Sequence, residues 1–316
     1  MTKLIIQIPC YNEEDSLPKT LADLPREISG ISKIEWLVID DGSSDRTVEV
    51  ARECGVDHIV RHPINLGLAR AFATGLDACL RLKADIIVNT DADNQYDARD
   101  IPNLVAPILE GKADVVIGER PISSIQHFSF LKKRLQKFGS YVVRVASGTS
   151  IPDAPSGFRA MSRVAAMQTH VFSGHTYTLE TIIQLGRKGL AITSVPIRTN
   201  ADMRPSRLIS SVASYVSRSA ITILRIFMTY KPFSFFIVPG IFFLFGGFII
   251  GLRYLFFYMT GSGMGHVQSL ILSVIFSNVG FTFITFGLIA DLISVNRKLL
   301  ERVDFQVQMI MGKLEK

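Results

Sequence analysis

The strongest constraint on this chain is a pair of long uncharged segments near its carboxyl end. Residues 235–252 form an 18-residue run without a charged side chain, and residues 267–290 form one of 24. A helix needs about 20 apolar residues to cross the hydrocarbon layer of a bilayer. The two runs therefore predict a membrane hairpin closed by the short, glycine-containing connector 259–266. Pro239 is tolerated in such a helix, and Gly247 and Gly251 give the first run a GxxxG spacing on which helices can approach closely. Arg253 follows and can reach the far interface along its aliphatic stem. Arg207, Arg218, Arg225 and Lys231 stand upstream, Arg297, Lys298 and Arg302 downstream, and the connector carries only a histidine. Basic flanks stay on the cytosolic side, so both termini are expected there. The bland alternative, a soluble protein with two buried core helices, fits the length of the runs poorly.

Charge is distributed as unevenly as hydropathy. The chain carries a formal net charge of +6. Residues 1–119 nevertheless hold 21 of its 28 acidic side chains against 12 basic ones, while residues 120–316 hold 22 basic against 7 acidic. A basic second part predicts an anionic partner, either membrane headgroups or a phosphorylated substrate. Residues 208–230 place apolar side chains at roughly helical spacing among Arg218 and Arg225, which suits a helix lying in the membrane interface; an ordinary helix packed on the preceding domain is the other reading. Three cysteines, Cys10, Cys54 and Cys79, with no CxxC spacing, give neither a disulfide framework nor a zinc site. The apolar run 4–8 is too short for a signal peptide and is followed by Pro9.

The first two hundred residues alternate strand-length apolar runs with helical patterns. Strands are expected at 4–8, 34–39, 57–61, 86–90 and 115–118, and helices at 16–27, 45–54, 67–82, 101–110 and, further on, 178–188. Ser44 is the expected cap of the second helix and Gly55 its terminator. Such alternation implies right-handed βαβ units and a mainly parallel sheet, whose ligand lies outside the carboxyl ends of the strands. The polar sequences sit at those ends. Pro9-Cys10-Tyr11-Asn12-Glu13-Glu14 offers an aromatic ring and polar groups to a nucleobase, or else simply begins a helix. Asp40-Asp41-Gly42-Ser43-Ser44-Asp45 sets two carboxylates side by side, which is costly when buried unless donors or cations meet them. A ribose or base would supply donors, and Gly42 would allow a close approach. Thr90-Asp91-Ala92-Asp93-Asn94-Gln95 spaces two carboxylates by one residue, an all-oxygen set suited to Mg²⁺ or Mn²⁺ on a diphosphate, with Gln95 as a neutral oxygen ligand. No GxGxxG follows a strand and no Walker A lysine motif is present, which excludes the common dinucleotide and P-loop sites.

The ordered series IPCYNEE, VIDDGSSDRT, NLGLARAFATG, TDADNQYD, GER and DAPSGFRAMSR resembles the family 2 glycosyltransferases, and among them the polyprenyl- or dolichyl-phosphate sugar synthases. The resemblance covers about residues 4–208. It implies an α/β fold, a Rossmann-like GT-A domain over 1–207, followed by an amphipathic juxtamembrane helix over 208–232, two transmembrane helices within 233–296 and a cytosolic tail from 297 to 316. It also implies inverting hexosyl transfer from a GDP- or UDP-sugar to polyprenyl phosphate at the cytosolic membrane face. The nucleotide sugar is then expected at Pro9, Tyr11, Asn12, Glu13, Asp40, Asp41, Gly42, Asn65, Gly67, Ala92 and Arg120. Asp91, Asp93 and Gln95 are expected to be catalytic and to hold Mg²⁺ or Mn²⁺. The acceptor phosphate is expected at Lys133, Arg134, Ser206 and Arg207. The processive QxxRW signature is absent.

The acid-free stretch 121–152 supports a phosphate acceptor from the residues themselves. It mixes Lys132, Lys133, Arg134, Lys137 and Arg144 with Ile125, Phe128, Phe130, Leu131 and Phe138, a combination that fits a headgroup phosphate with an apolar tail; a solvated amphipathic helix is the plainer reading. Two other functions stay open at this stage. One is transfer to a glycan or lipid hydroxyl, which needs a base such as Asp153 or Glu180. The other is a non-catalytic nucleotide-binding membrane scaffold. His170 and His175 are read as structural, no nucleic-acid partner is expected, and homo-oligomerisation is left open.

Overall fold

The computed structural model describes residues 2–121, 143–144, 147–171, 177–200, 221, 224, 228 and 232–314. The chain divides into two compact units, Met1–Ala220 and Ile221–Lys316. In the first, β1 (Lys3–Cys10), β2 (Lys33–Asp40), β3 (His58–Arg61), β4 (Ile86–Asn89), β5 (Val115–Glu119), β6 (Arg159–Ser162) and β7 (Ile192–Pro196) build one seven-stranded sheet in the order β3-β2-β1-β4-β6-β5-β7. All neighbours are parallel except β6, which runs antiparallel to both β4 and β5. The central strands are apolar on both faces, and from Leu4 to Cys10 every β1 residue is buried. That is the signature of a parallel sheet covered by helices on both sides.

The described helices of this unit are α1 (Leu17–Asp23), α2 (Thr47–Glu53), α3 (Leu68–Arg81), α4 (Ile101–Leu109), α5 (Arg163–Met167) and α6 (Thr178–Arg187). In α3, Ala69, Phe72, Leu76 and Cys79 recur at steps of three and four and are buried against the sheet. Helix α1 stops sooner than expected because Leu24 turns extended ahead of Pro25, a residue that disfavours helix in its predecessor. Ser44 does not cap α2. Its amide donates to Asn12 Oδ1 at 2.9 Å, and Asp45 Oδ1 instead accepts the Thr47 amide at 3.0 Å. Gly55 follows α2 at φ 74°, as a terminating glycine should.

In the second unit α7 (Pro232–Met259) and α8 (Val267–Leu314) are joined by the 3₁₀ turn Gly263–His266. Both are long and apolar enough to cross a membrane, and only 11% of each apolar window is buried. They pack through small residues. A Cβ on Gly247 would meet the Ser277 backbone nitrogen at 2.9 Å, and one on Gly280 would meet the Gly240 carbonyl at 2.7 Å. Ser273 Oγ donates to the Gly247 carbonyl at 2.7 Å. The GxxxG spacing of Gly247 and Gly251 thus marks a real helix contact. The expected interfacial helix over 208–230 lies largely outside the described residues.

At the amino end of the sheet, away from the motif loops, Glu35 is almost fully buried among two lysines and a histidine. Lys3 Nζ lies 2.7 Å, Lys33 Nζ 2.6 Å and His58 Nε2 2.7 Å from its carboxylate. Burial alone would raise this carboxyl, but the hydrogen bonds from Lys3, Lys33 and His58 outweigh it and hold it at about 2. A depressed carboxyl contributes stability above its unfolded pKa, and that contribution is lost as pH falls through the folded one. Glu35→Gln is therefore expected to cost up to about 3 kcal/mol at neutral pH. In denaturant titrations of the wild type the same stability should fade between roughly pH 4 and pH 2, and an equal cost for the variant across that window would exclude this origin.

Candidate active site

The parallel strands β1, β2, β4 and β5 deliver their carboxyl ends, and the loops after them, to one edge of the sheet. The loops after β1 and β2 are laced together. The Asn12 amide donates to Ser43 Oγ at 2.9 Å, and the Glu13 amide donates to Thr47 Oγ1 at 2.8 Å. Asn12 itself takes the left-handed conformation, φ 53°, and presents the Tyr11 ring to solvent at 42% exposure. Pro9 is buried inside β1, and Glu13 is buried beside Ser16.

Asp40 and Asp41 are both almost wholly buried, and the chain itself supplies the donors they need. Asp40 Oδ1 accepts the Ser43 amide at 3.0 Å. Its Oδ2 has no aligned hydrogen bond and faces the Arg61 guanidinium at 3.1 Å. Asp41 Oδ1 accepts the Leu66 amide at 2.9 Å and pairs with His62 Nδ1 at 2.7 Å, while Oδ2 accepts the Gly67 amide at 2.8 Å. Asp41 thus fixes the loop entering α3, and the far nitrogen of His62 reaches Thr74 Oγ1 at 3.0 Å. Gly42 has its own reason. At φ 73°, a Cβ there would lie 2.5 Å from the Ile64 carbonyl carbon and 2.7 Å from the Asn65 nitrogen. The close approach expected at Gly42 is therefore made by this loop. Asn65 is exposed on it.

The loop after β4 is held from every side. Ala92 is buried and its carbonyl accepts from Thr20 Oγ1 at 2.8 Å. Asn94, at φ 56°, donates to Asp23 at 2.9 Å and receives Asn200 Nδ2 on its carbonyl at 2.9 Å. The Gln95 amide donates to Asp93 Oδ1 at 3.2 Å. Within this frame Asp91 is pushed up to about 7, first by burial and then by the neighbouring Asp93 charge, with Arg120 and Arg159 pulling the other way. The two carboxylates are near enough to oppose each other's ionisation. A hard divalent cation is compatible with them by chemistry, since the donors are all oxygen and Gln95 adjoins them; no group of three or more acidic, histidine or cysteine ligands gathers among the described residues. Two carboxylates would leave coordination positions for a diphosphate and water.

Beneath Asp91 lies a polar core that the sequence does not announce. Asn89, the last residue of β4, accepts from Gln7 Nε2 at 2.9 Å and donates to the Gly157 carbonyl at 2.9 Å and the Tyr177 hydroxyl at 3.0 Å. The Gly157 amide donates to the Tyr96 hydroxyl at 3.1 Å, and burial pushes that phenol up to about 12. Arg159, fully buried at the start of β6, donates to Thr181 Oγ1 at 2.7 Å and to the Ser156 carbonyl. Its Nε has no hydrogen-bond partner among the described residues. Burial lowers its pKa, opposed by Tyr177, Tyr96 and Asp91. The contacts of Asn89 and Gly157 join residues about sixty to ninety positions apart, so only the motif GFR hinted at them.

Arg120 closes the site through a two-pronged pair with buried Asp153, Nε to Oδ2 at 2.7 Å and Nη2 to Oδ1 at 3.0 Å. Glu180 is half-buried in the first turn of α6. Lys133, Arg134, Ser206, Arg207 and His175 lie outside the described residues. The groove of about 480 Å³ lined by residues 26–34 is at the opposite, amino end of β2 and takes no part.

Residues 5–169 match the model of the family described as glycosyl transferase family 2. The chain is 28% identical over 214 residues to the UDP-N-acetylglucosamine–dolichyl-phosphate N-acetylglucosaminyltransferase of Methanococcus voltae, covering 61% of this chain and 83% of that one. It is 27% identical over 205 residues to the undecaprenyl-phosphate mannosyltransferase of Micrococcus luteus, covering 62% and 82%. The fold is shared with glucosyl-3-phosphoglycerate synthase from Mycobacterium tuberculosis, solved with Mn²⁺, UDP and glucosyl-3-phosphoglycerate, at a TM-score of 0.52 and 20% identity over 70% of this chain and 80% of that one.

Gly157 offers a direct test of how tightly Asp91 is seated. A Cβ there would stand 3.2 Å from Asp91 Oδ1, 3.3 Å from Oδ2 and 3.2 Å from the Tyr177 hydroxyl. Gly157→Ala is expected to lower sugar transfer by roughly 10- to 100-fold, the range for disturbing a group that orients a metal ligand. Its melting temperature should stay within about 4 °C of the wild type. An unchanged rate would show that the seating of Asp91 is immaterial.

Proposed function

We propose, since the chain belongs to glycosyl transferase family 2 and is a glycosyltransferase, that it moves a sugar from a nucleotide-sugar donor onto the phosphate of a polyprenyl lipid. The observation that carries the donor half is the seating of Asp91 beside Asp93 at the carboxyl end of β4, where burial and the Asp93 charge raise the Asp91 carboxyl and a bound cation would relieve the repulsion. Mg²⁺ or Mn²⁺ at Asp91, Asp93 and Gln95 would neutralise the charge that develops on the departing nucleoside diphosphate. The laced loops of Tyr11–Glu13 and Asp40–Gly42, with Asn65 and Gly67 beside them, form the wall for the nucleoside, with the exposed Tyr11 ring as its stacking surface. The two relatives act, by their names, on dolichyl and undecaprenyl phosphate.

The acceptor half is supported by what each kind of acceptor would need. A hydroxyl acceptor requires a base to take its proton. Asp153, a candidate for that role, is locked in the pair with Arg120. A phosphate monoester needs no base, because its second pKa is about 6 and it is mostly ionised at neutral pH. It can attack the anomeric carbon from the face opposite the leaving diphosphate, which inverts that centre. The protein's tasks are then positioning and charge compensation. Arg120, at the rim of the site, and Lys133, Arg134, Ser206 and Arg207 are the groups proposed to receive the phosphate. The two apolar helices would hold the enzyme at a bilayer, and their basic flanks support a cytosolic position for the catalytic unit.

The test compares transfer from a set of GDP- and UDP-sugars, with Mn²⁺, to a short-chain polyprenyl phosphate and to the matching polyprenol. Product is expected only with the phosphate. Glycosylation of the alcohol, or of a glycan hydroxyl in its place, overturns the acceptor assignment. Asp93→Ala should reduce turnover by at least about a thousandfold while the fold persists, of the order seen when a group stabilising transition-state charge is removed. Near-normal turnover of that variant sinks the metal assignment.

A further inference from the structure

Helix α8 is much longer than a bilayer requires. It runs unbroken for 48 residues, about 72 Å at the ordinary helical rise, against a hydrocarbon layer of about 30 Å. Counted from Val267, its apolar run ends at Ala290 and the first charge is Asp291. No proline or glycine falls between positions 288 and 311, and those residues account for most sharp kinks. The extension therefore continues the axis of the span out into water rather than folding down along the headgroups.

That extension bears an apolar stripe. Ile289, Asn296, Val303 and Ile310 are seven residues apart, and Leu292, Leu299 and Gln306 fall three residues after the first three of them. All are exposed, Leu292 at 66% and Leu299 at 56%. A flanking row, Ile293, Leu300 and Val307, is exposed as well. Asp291, Arg297, Lys298 and Glu301 lie on the other side, where Arg297 Nε bonds Glu301 Oε1 at 2.8 Å. The stripe is also turned by roughly a third of the helix circumference from the Ser273, Ser277 and Gly280 seam that faces α7.

A strict seven-residue repeat stays on one face only when the partner is another helix supercoiled with it. β-branched residues at one core position and leucine at the other favour two parallel strands, and a core asparagine fixes the register; here Gln306 is a second polar residue, at the far end of the leucine row. A second copy of this chain meets that requirement without further device. Each copy's α8 would leave the bilayer at the same residue, so the copies are parallel and in register, and confinement to a membrane raises their effective concentration.

We propose that residues 289–310 of α8 form a parallel two-stranded coiled coil with the same segment of a second copy, with Asn296 paired to its counterpart. This rests on α7 and α8 being membrane spans and is independent of the sugar and acceptor assignments. The test uses the full chain in lipid nanodiscs and in vesicles. Particle mass should correspond to two chains for the wild type and to one chain for the Leu299→Glu, Val303→Glu double variant, while Lys298→Glu stays paired. In vesicles, on a Cys54→Ser background, mild oxidation should cross-link Leu292→Cys and Leu299→Cys into dimers at least tenfold more than Asp291→Cys and Lys298→Cys. Because those cysteine variants leave most of the stripe intact, they read the contact even if the glutamate variant misfolds. One chain per wild-type particle, three or more chains, pairing that survives the double glutamate substitution, or cross-linking without the seven-residue phase would each overturn the proposal.

Discussion

The site is organised around an unfavourable contact: Asp91 is seated in a poorly hydrated position with the Asp93 charge beside it. Two carboxylates crowded in this way resist joint ionisation, and the loop would relax if it could. It is prevented by bonds that come from unrelated parts of the chain, Thr20 to the Ala92 carbonyl, Asn200 to the Asn94 carbonyl, and Asn94 to Asp23. Below it, Gly157 lies so close to Asp91 that a Cβ there would stand 3.2 Å from Oδ1. Local strain of this sort persists only where the surroundings over-determine it.

Positive charge is arranged at a distance rather than in contact. Among the described residues Arg159 bonds no carboxylate: its Nη1 and Nη2 donate to Thr181 Oγ1 and the Ser156 and Thr178 carbonyls, and its Nε has no partner. Arg120 is spent on Asp153. Neither guanidinium neutralises Asp91 by bonding it, yet both pull its pKa down. Direct pairing would block the carboxylate oxygens. Keeping the cations one layer away leaves those oxygens open, and it holds the Arg120 side chain rigid at the rim, where a fixed charge costs nothing to reorganise when an anion arrives.

Much of this was legible in the sequence because it is local. Each parallel strand is a short apolar run ending in polar residues, so β1 to β5 and the placement of Asp40, Asp41, Asp91 and Asp93 at their ends could be read directly. Strands β6 and β7 could not. Arg-Ala-Met-Ser carries a charge at its first position and little strand character, and it becomes a strand only because β4 and β5 leave a gap that an antiparallel partner fills. Asp41 shows a different limit. Its sequence position suggested a ligand contact, whereas three donors from the chain already surround it, a fact that depends on residues 62–67 folding back. Pairing of Asn89 with Tyr177, 88 positions later, likewise has no sequence period to betray it.

The two helices of the second unit show why one chain can use opposite residue types for the same purpose. Where lipid surrounds α7 and α8, burying a leucine gains nothing from expelled water, so contact has to come from close backbone approach. Hence glycine meets serine or glycine along the seam at 240, 247, 277 and 280. Beyond Asp291 charged residues appear, and in water a large apolar side chain is worth burying. The residue sizes along α8 change accordingly, from Ser273, Ser277 and Gly280 to Leu292, Leu299 and Val303, while the helix itself does not break.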